Sequence, residues 1–190
     1  MIENGTTSEQ DEITSVIDIR KNRLKNNLLQ HLYETGDTSI NKLARLFHAS
    51  IPSATGIINE LMKEGWIVET GTGPARAGRP PVLYGLNPNK YYTLILDVNR
   101  FDTYFNIFDL QNKLVYKSKL VASLEDSPKF LELLIAETEN FLHVNNISAH
   151  KLWGIGMSMP GLINPKQGIN LTYSNLTASN TSLTELLEKH

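Results

Sequence analysis

The 190-residue sequence contains no cysteine, which excludes disulfides and any thiolate metal site within it. No apolar run approaches the roughly 20 residues that a membrane-spanning helix requires. The N-terminus has neither the basic stretch nor the apolar core that marks a secretory signal. Internal repeats and low-complexity tracts are also absent. These absences lead to the expectation of a cytoplasmic protein with no membrane partner. No Ser-His-Asp set and no carboxylate pair stands out. His31, His48, His143, His150 and His190 are scattered without metal-ligand spacing. The reading is therefore of no catalytic residue, no metal and no cofactor.

Positive charge is missing from the first 19 residues, which hold five acids and no lysine or arginine. Residues 20–90 reverse this, with ten lysines and arginines against five acids, and residues 91–190 carry eight against ten. A basic block inside a chain of net charge −2 suggests a polyanionic partner for that block. The apolar fraction of 41% allows a packed core, and the length suits one medium domain or two small ones.

Residues 1–19 read as a flexible acidic tail running into a first helix. Leu24, Leu28, Leu29 and Leu32 recur at helical spacing until Gly36. A second helix is read over 39–48, with Ser39 as N-cap and Ile40, Leu43, Ala44 and Phe47 on one face. A third is read over 51–64, capped by Ser50, with Pro52 in its first turn and Ala54, Ile57, Ile58 and Leu61 buried. Two β-prone runs follow, 66–70 and 81–86. Between them lies Arg76-Ala77-Gly78-Arg79-Pro80, a segment that glycine and proline keep out of a helix. One reading of that segment is a linker with two solvated cations. The other is a basic hook whose arginines enter a DNA minor groove.

Three helices with a tight turn between the second and third, then a hairpin, make a winged helix-turn-helix over 20–87, with residues 76–80 as its wing. In that arrangement the third helix lies in the major groove and the second rests across the backbone. The DNA-contacting candidates are Ser53, Thr55, Gly56 and Asn59 on the third helix and Lys42 and Arg45 as phosphate contacts. Arg76, Gly78, Arg79 and Pro80 complete the set in the wing. Gly56 offers no donor, so readout by this helix is sparse. A winged helix used for protein contacts is the alternative at this point.

Asn87-Pro88-Asn89 reads as a boundary. Beyond it come strands over 91–98, 104–110 and 113–121 and an amphipathic helix over 128–144. Phe130, Leu133, Leu134, Phe141 and Leu142 of that helix face inward. A strand over 151–159 and a last helix beginning at 184 follow. This order describes an α/β lobe with a mixed sheet over 88–190.

Three motifs carry a resemblance. SIPSATGIINELMKEGWIVETG, GRPPVLYGLNP and GIGMSMPGLINPKQGINLTYSNL, in that order, resemble the recognition helix, wing end and Gly-Ile-Gly…Pro-Gly strand and loop of the ROK family (repressors, open reading frames and kinases). The likeness is to its sugar-responsive repressors. It implies α/β architecture with an N-terminal, mainly-α winged helix-turn-helix and part of an actin-like, ribonuclease-H-like lobe. It also implies double-stranded DNA as partner, repression of carbohydrate-utilisation genes, homo-oligomers and a sugar or sugar-phosphate effector in a full-length form. Ser158, Pro160 and Gly161 match the wall of the family's sugar pocket.

Kinase members of the family carry Asp-x-Gly-Gly-Thr in their first hairpin, where glycines admit ATP phosphates. Here the register reads Asp97-Val98-Asn99-Arg100-Phe101, whose side chains obstruct that approach. A sugar kinase is the alternative this disfavours, and Arg100 reads as a surface turn residue. The resemblance places an Asn-Asp pair, a Glu/His sugar site and a Cys/His zinc site beyond residue 190. The expectation is therefore an incomplete lobe that exposes apolar surface, self-associates and binds DNA without responding to sugar.

Overall fold

The structure, a computed structural model, describes residues 6–74, 78–177, 182, 183 and 185, with backbone alone for residues 6–17. The chain divides into two compact units, Met1–Pro88 and Asn89–His190.

In the first unit, helix α1 spans Thr6–Thr35. It ends where Gly36 takes φ +79° and donates its N–H to Leu32 O at 3.0 Å. Leu28 and Leu32 are buried, with Leu24 and Leu29 half-buried beside them. The flexible tail expected over 1–19 is corrected here: from Thr6 onward it is helical. Residues 6–35 contain no proline or glycine to interrupt the ladder. Its apolar content is low, so hydrophobic periodicity gave no sign of it.

Helix α2 spans Ile40–Leu46 and helix α3 spans Ile51–Lys63. The two serine caps differ. Ser50 Oγ accepts from Ser53 N at 3.2 Å, whereas the Ser39 side chain makes no cap bond. Leu43, Ala44, Ala54, Ile57, Ile58 and Leu61 are buried together with Leu28 and Leu32. Gly65, at φ +77°, turns the chain into strand β1, Ile67–Thr72, which pairs antiparallel with β2, Val82–Leu86. The register slips between Glu69 and Gly71. Thr38 adds an isolated antiparallel bridge to β2: its N–H reaches Tyr84 O at 2.9 Å and Tyr84 N–H returns to Thr38 O at 2.8 Å. The hairpin is thereby fastened to the turn before α2.

The second unit is a four-stranded sheet in the order β5-β4-β3-β6. Strand β3 is Tyr92–Val98, β4 is Thr103–Asp109, β5 is Leu114–Leu120 and β6 is Leu152–Ser158. The first three run antiparallel, and β6 joins β3 in parallel. Helix α4, Pro128–Val144, lies between β5 and β6 in the chain, as a parallel crossover requires. Leu94, Leu96, Val98, Phe105 and Ile107 alternate along β3 and β4 and pack in one core with Phe130, Leu131, Leu134 and Phe141. Leu133, expected inward, is 40% exposed, and Leu131 is buried in its stead. At about 100° per residue, Leu131 lies only about 20° beyond the arc shared by Phe130, Leu134, Thr138 and Phe141, whereas Leu133 lies about 60° off its other edge.

A 3-10 turn at Ala149–Lys151 takes the first residue of the strand expected over 151–159. Two short strands not foreseen, β7 at Ile163–Asn164 and β8 at Ile169–Asn170, form a small hairpin after β6. Of the helix expected from 184, Glu185 is helical and the rest lies outside the described residues.

Candidate nucleic-acid interface

Burial of Ala54, Ile57, Ile58 and Leu61 fixes which side of α3 faces outward. The outer side carries Pro52, Ser53, Gly56, Asn59 and Lys63, all exposed. Thr55, expected to be exposed, is half-buried, and its hydroxyl donates to Ile51 O at 2.8 Å. Ser53 serves the cap, with its Oγ 2.8 Å from Ser50 Oγ. Asn59 makes no hydrogen bond to a described residue. A Cβ added at Gly56 would meet nothing within 4 Å, so that turn of the helix is open.

On α2, Lys42 and Arg45 are exposed and pair with no described acid. Lys63, in the last turn of α3, is in the same state and was not singled out from the sequence. Ile51 was missed as well. It is the first residue of α3 and 55% exposed, and it walls a shallow cleft of about 250 Å³ with Asn41, Ala44, Arg45 and Ala49. An apolar side chain exposed at the tip of a polar helix face is the signal that could have revealed it.

At the hairpin tip Gly78 takes φ +83°, and Gly78, Arg79 and Pro80 are exposed. Gly73 N–H bonds to Pro81 O at 2.8 Å and closes the base of the loop. Arg76 lies outside the described residues.

Two lysines of α1 are committed elsewhere. Lys21 Nζ lies 2.7 Å from Glu60, and Lys25 Nζ lies 2.8 Å from both Glu60 and Glu64. Hydrogen bonds from Lys21 and then Lys25 hold the Glu60 carboxyl below its ordinary pKa, and those to Glu60 and then Glu64 raise Lys25. These contacts tie α3 to α1 and cancel two acids on or beside the helix.

In the second unit, Ser158 is exposed at the end of β6 and Pro160 is half-buried. Gly161 has φ +111°, and a Cβ there would come 2.6 Å from Asn170 Oδ1. Asn170 is buried; its Nδ2 donates to Pro160 O at 2.8 Å, and its Oδ1 accepts from Thr172 N and Tyr173 N at 3.0 and 3.1 Å. The close approach that requires a glycine at 161 is thus an internal one, to Asn170. The turn after β3 is closed by Asn99 N–H to Asp102 O at 2.8 Å, with Phe101 73% exposed at its tip. Among the described residues no three His, Asp or Glu side chains gather. With no cysteine in the chain, they do not fit the zinc site that the resemblance places further on. No described helix is long and apolar enough to cross a membrane.

Comparison with known proteins gives three kinds of likeness. A model described as the MarR family matches residues 22–70. The xylose repressor of Caldicellulosiruptor bescii is 28% identical over 153 residues, which is 80% of this chain and 38% of that protein. The DNA-binding transcriptional repressor Mlc of Escherichia coli K12 is 26% identical over 143 residues, 75% of this chain and 34% of that protein. A crystal structure described as a ROK family transcriptional regulator, homologous to E. coli Mlc, superposes with a TM-score of 0.61 at 23% identity. It covers 90% of this chain and 43% of its own. The chain therefore spans about two-fifths of the length of the proteins it matches, and their fold, an N-terminal winged helix followed by a mixed α/β sheet domain, is its own. It is similar in sequence to these transcriptional repressors and in fold to the ROK-family regulator.

Proposed function

We propose that this chain is a ROK-family DNA-binding transcriptional regulator, a repressor of carbohydrate-utilisation genes that works in the cytoplasm as a homo-oligomer. Residues 20–87 act as the DNA-binding domain and residues 88–190 as part of a sugar-sensing domain. The observation that carries the reading is the set of cations Lys42, Arg45, Lys63 and Arg79 on α2, α3 and the hairpin loop, which pair with no described acid, while Lys21 and Lys25 are bound to acids. Cations left without acids suit phosphates, which fix register on the duplex. Helix α3 lies in the major groove, and Gly78-Arg79-Pro80, with Arg76, follows the minor groove. Ser158, Pro160 and Gly161 border the pocket for a sugar or sugar-phosphate effector. The role is not enzymatic, since Asn99, Arg100 and Phe101 occupy the turn where a kinase needs bare backbone for phosphate.

Fluorescence anisotropy with labelled A·T-rich duplexes and G·C-rich competitors tests this. Specific binding weakened by Arg79→Ala is the expected outcome. Equal, negligible affinity for all duplexes at low salt would overturn the proposal.

A further inference from the structure

We infer that α3 reads A·T base pairs through the stripe Ile51, Thr55 and Asn59, with Ile51 and the Thr55 methyl group against thymine methyls and Asn59 on an adenine. The inference rests on the reading of α3 as the major-groove helix. These residues are spaced i, i+4 and i+8, so they stand above one another on successive turns. From the first to the last is about 12 Å along the helix axis, or roughly three to four base pairs at 3.4 Å each.

Each group is assigned by what the fold leaves it free to do. The Ile51 side chain is 55% exposed at the start of the helix, although the core is otherwise filled by apolar residues of the opposite side. Its neighbour across the cleft, Arg45, is free to hold a phosphate beside it. Thr55 donates its hydroxyl proton to Ile51 O, so its methyl group is the part not committed to the helix. Ser53 is taken by the Ser50 cap. Asn59 alone on this side keeps an uncommitted amide, with one acceptor and two donor hydrogens. An amide of this kind bonds adenine N7 and N6 in the major groove, and an apolar contact there selects the thymine methyl. Gly56, with open space beside it, lets the bases approach the stripe.

The test begins with selection of duplexes from a random library by the wild-type chain at fixed ionic strength. The selected duplex is then remade one position at a time, with deoxyuridine for thymine or 7-deazaadenine for adenine. Both changes alter only the major groove, so wing contacts are not disturbed. Deoxyuridine at the critical position should weaken binding about fourfold, the equivalent of one methyl group. The deaza substitution, three to four base pairs away, should weaken it about fivefold or more. Ile51→Ala should abolish the response to deoxyuridine at the thymine it meets, while keeping the response at the thymine beside Thr55 and the response to 7-deazaadenine; Asn59→Ala should abolish the 7-deazaadenine response alone. Both side chains are exposed, so the fold should persist, and the wild-type responses need no variant at all. A wild-type chain that selects a sequence yet ignores both modifications at every position would overturn this inference and leave DNA binding intact. Variants that respond like the wild type would overturn the assignment of the residues. A chain that selects nothing would instead sink the proposed function.

Discussion

Asn170 shows how much one buried amide can organise. It closes the loop after β6 by bonding Pro160 O with its donor side and two successive backbone N–H groups with its acceptor side. Leu162 N–H adds a bond to Thr172 Oγ1 at 2.9 Å. Removing the Asn170 side chain leaves three backbone groups without partners in a region where the residue itself is 2% exposed. Asn170→Ala is therefore expected to destabilise the second unit by about 1–3 kcal/mol. Urea unfolding followed by Trp153 fluorescence in a Trp66→Phe background measures it, and an unchanged midpoint would refute this account of the loop. Gly161→Ala should have a similar effect, because positive φ and the nearness of Asn170 both oppose a Cβ. The resemblance marked Gly161 as part of a sugar-pocket wall, and the close approach found here is to Asn170. The partner lies nine residues further on, across a hairpin too short for strand periodicity to reveal.

Among elements, α1 and α3 are held by Lys21, Lys25, Glu60 and Glu64, and the pH dependence of that contact has a definite sign. Glu60 has a lowered pKa, so its contribution is complete above the ordinary carboxylate value and is lost as pH falls through the lowered one. Lys25 has a raised pKa, so its contribution is complete below the ordinary lysine value and is lost as pH rises through the raised one. Lys25→Ala should lower the unfolding midpoint of the first unit modestly near neutrality, as partly exposed pairs do. Its difference from wild type should shrink in acid and in high salt, and a difference constant from pH 7 to pH 3 would contradict the assignment. These pairs join residues 35 to 39 positions apart, so no local pattern announces them, and the same holds for the bridge between Thr38 and Tyr84. Local patterns do announce α4, where proline in the first turn and a steady apolar period mark Pro128–Val144. The four main strands, bounded by polar turns, were also legible. The turn from Asn99 to Phe101 carries side chains where the kinases of the resemblance carry glycines, and Phe101 stands out from it. Calorimetry with Mg-ATP should accordingly show no heat of binding, and micromolar affinity would mean that this turn reorganises to admit phosphates.

At the scale of the whole molecule, the balance of charge is a matter of location more than of sum. The chain carries −2 overall, yet the free cations named on α2, α3 and the hairpin loop belong to one unit, whose core is built from its own residues. Each such cation that replaces condensed counterions on duplex DNA steepens the plot of log K against log salt by about 0.9. Lys42, Arg45, Lys63 and Arg79 together should therefore give a slope approaching about −4 per protomer, with Arg76 adding to it wherever it reaches a phosphate. Lys21 and Lys25 should add nothing, because releasing them from Glu60 and Glu64 would expose two acids to the DNA. Arg79→Ala should reduce the slope by about one and cost on the order of 1–3 kcal/mol, with weaker preference for A·T pairs if the loop lies in the minor groove. Lys42→Ala should reduce the slope equally but leave base preference as it was, since a phosphate contact carries no sequence information. Titrations of labelled duplex over a salt series for the wild type, Arg79→Ala, Lys42→Ala and Lys21→Ala separate these cases. An Arg79→Ala slope equal to that of the wild type would remove the loop from the interface. A Lys21→Ala slope shallower than the wild type's would show that the α1 lysines leave their acids when DNA binds.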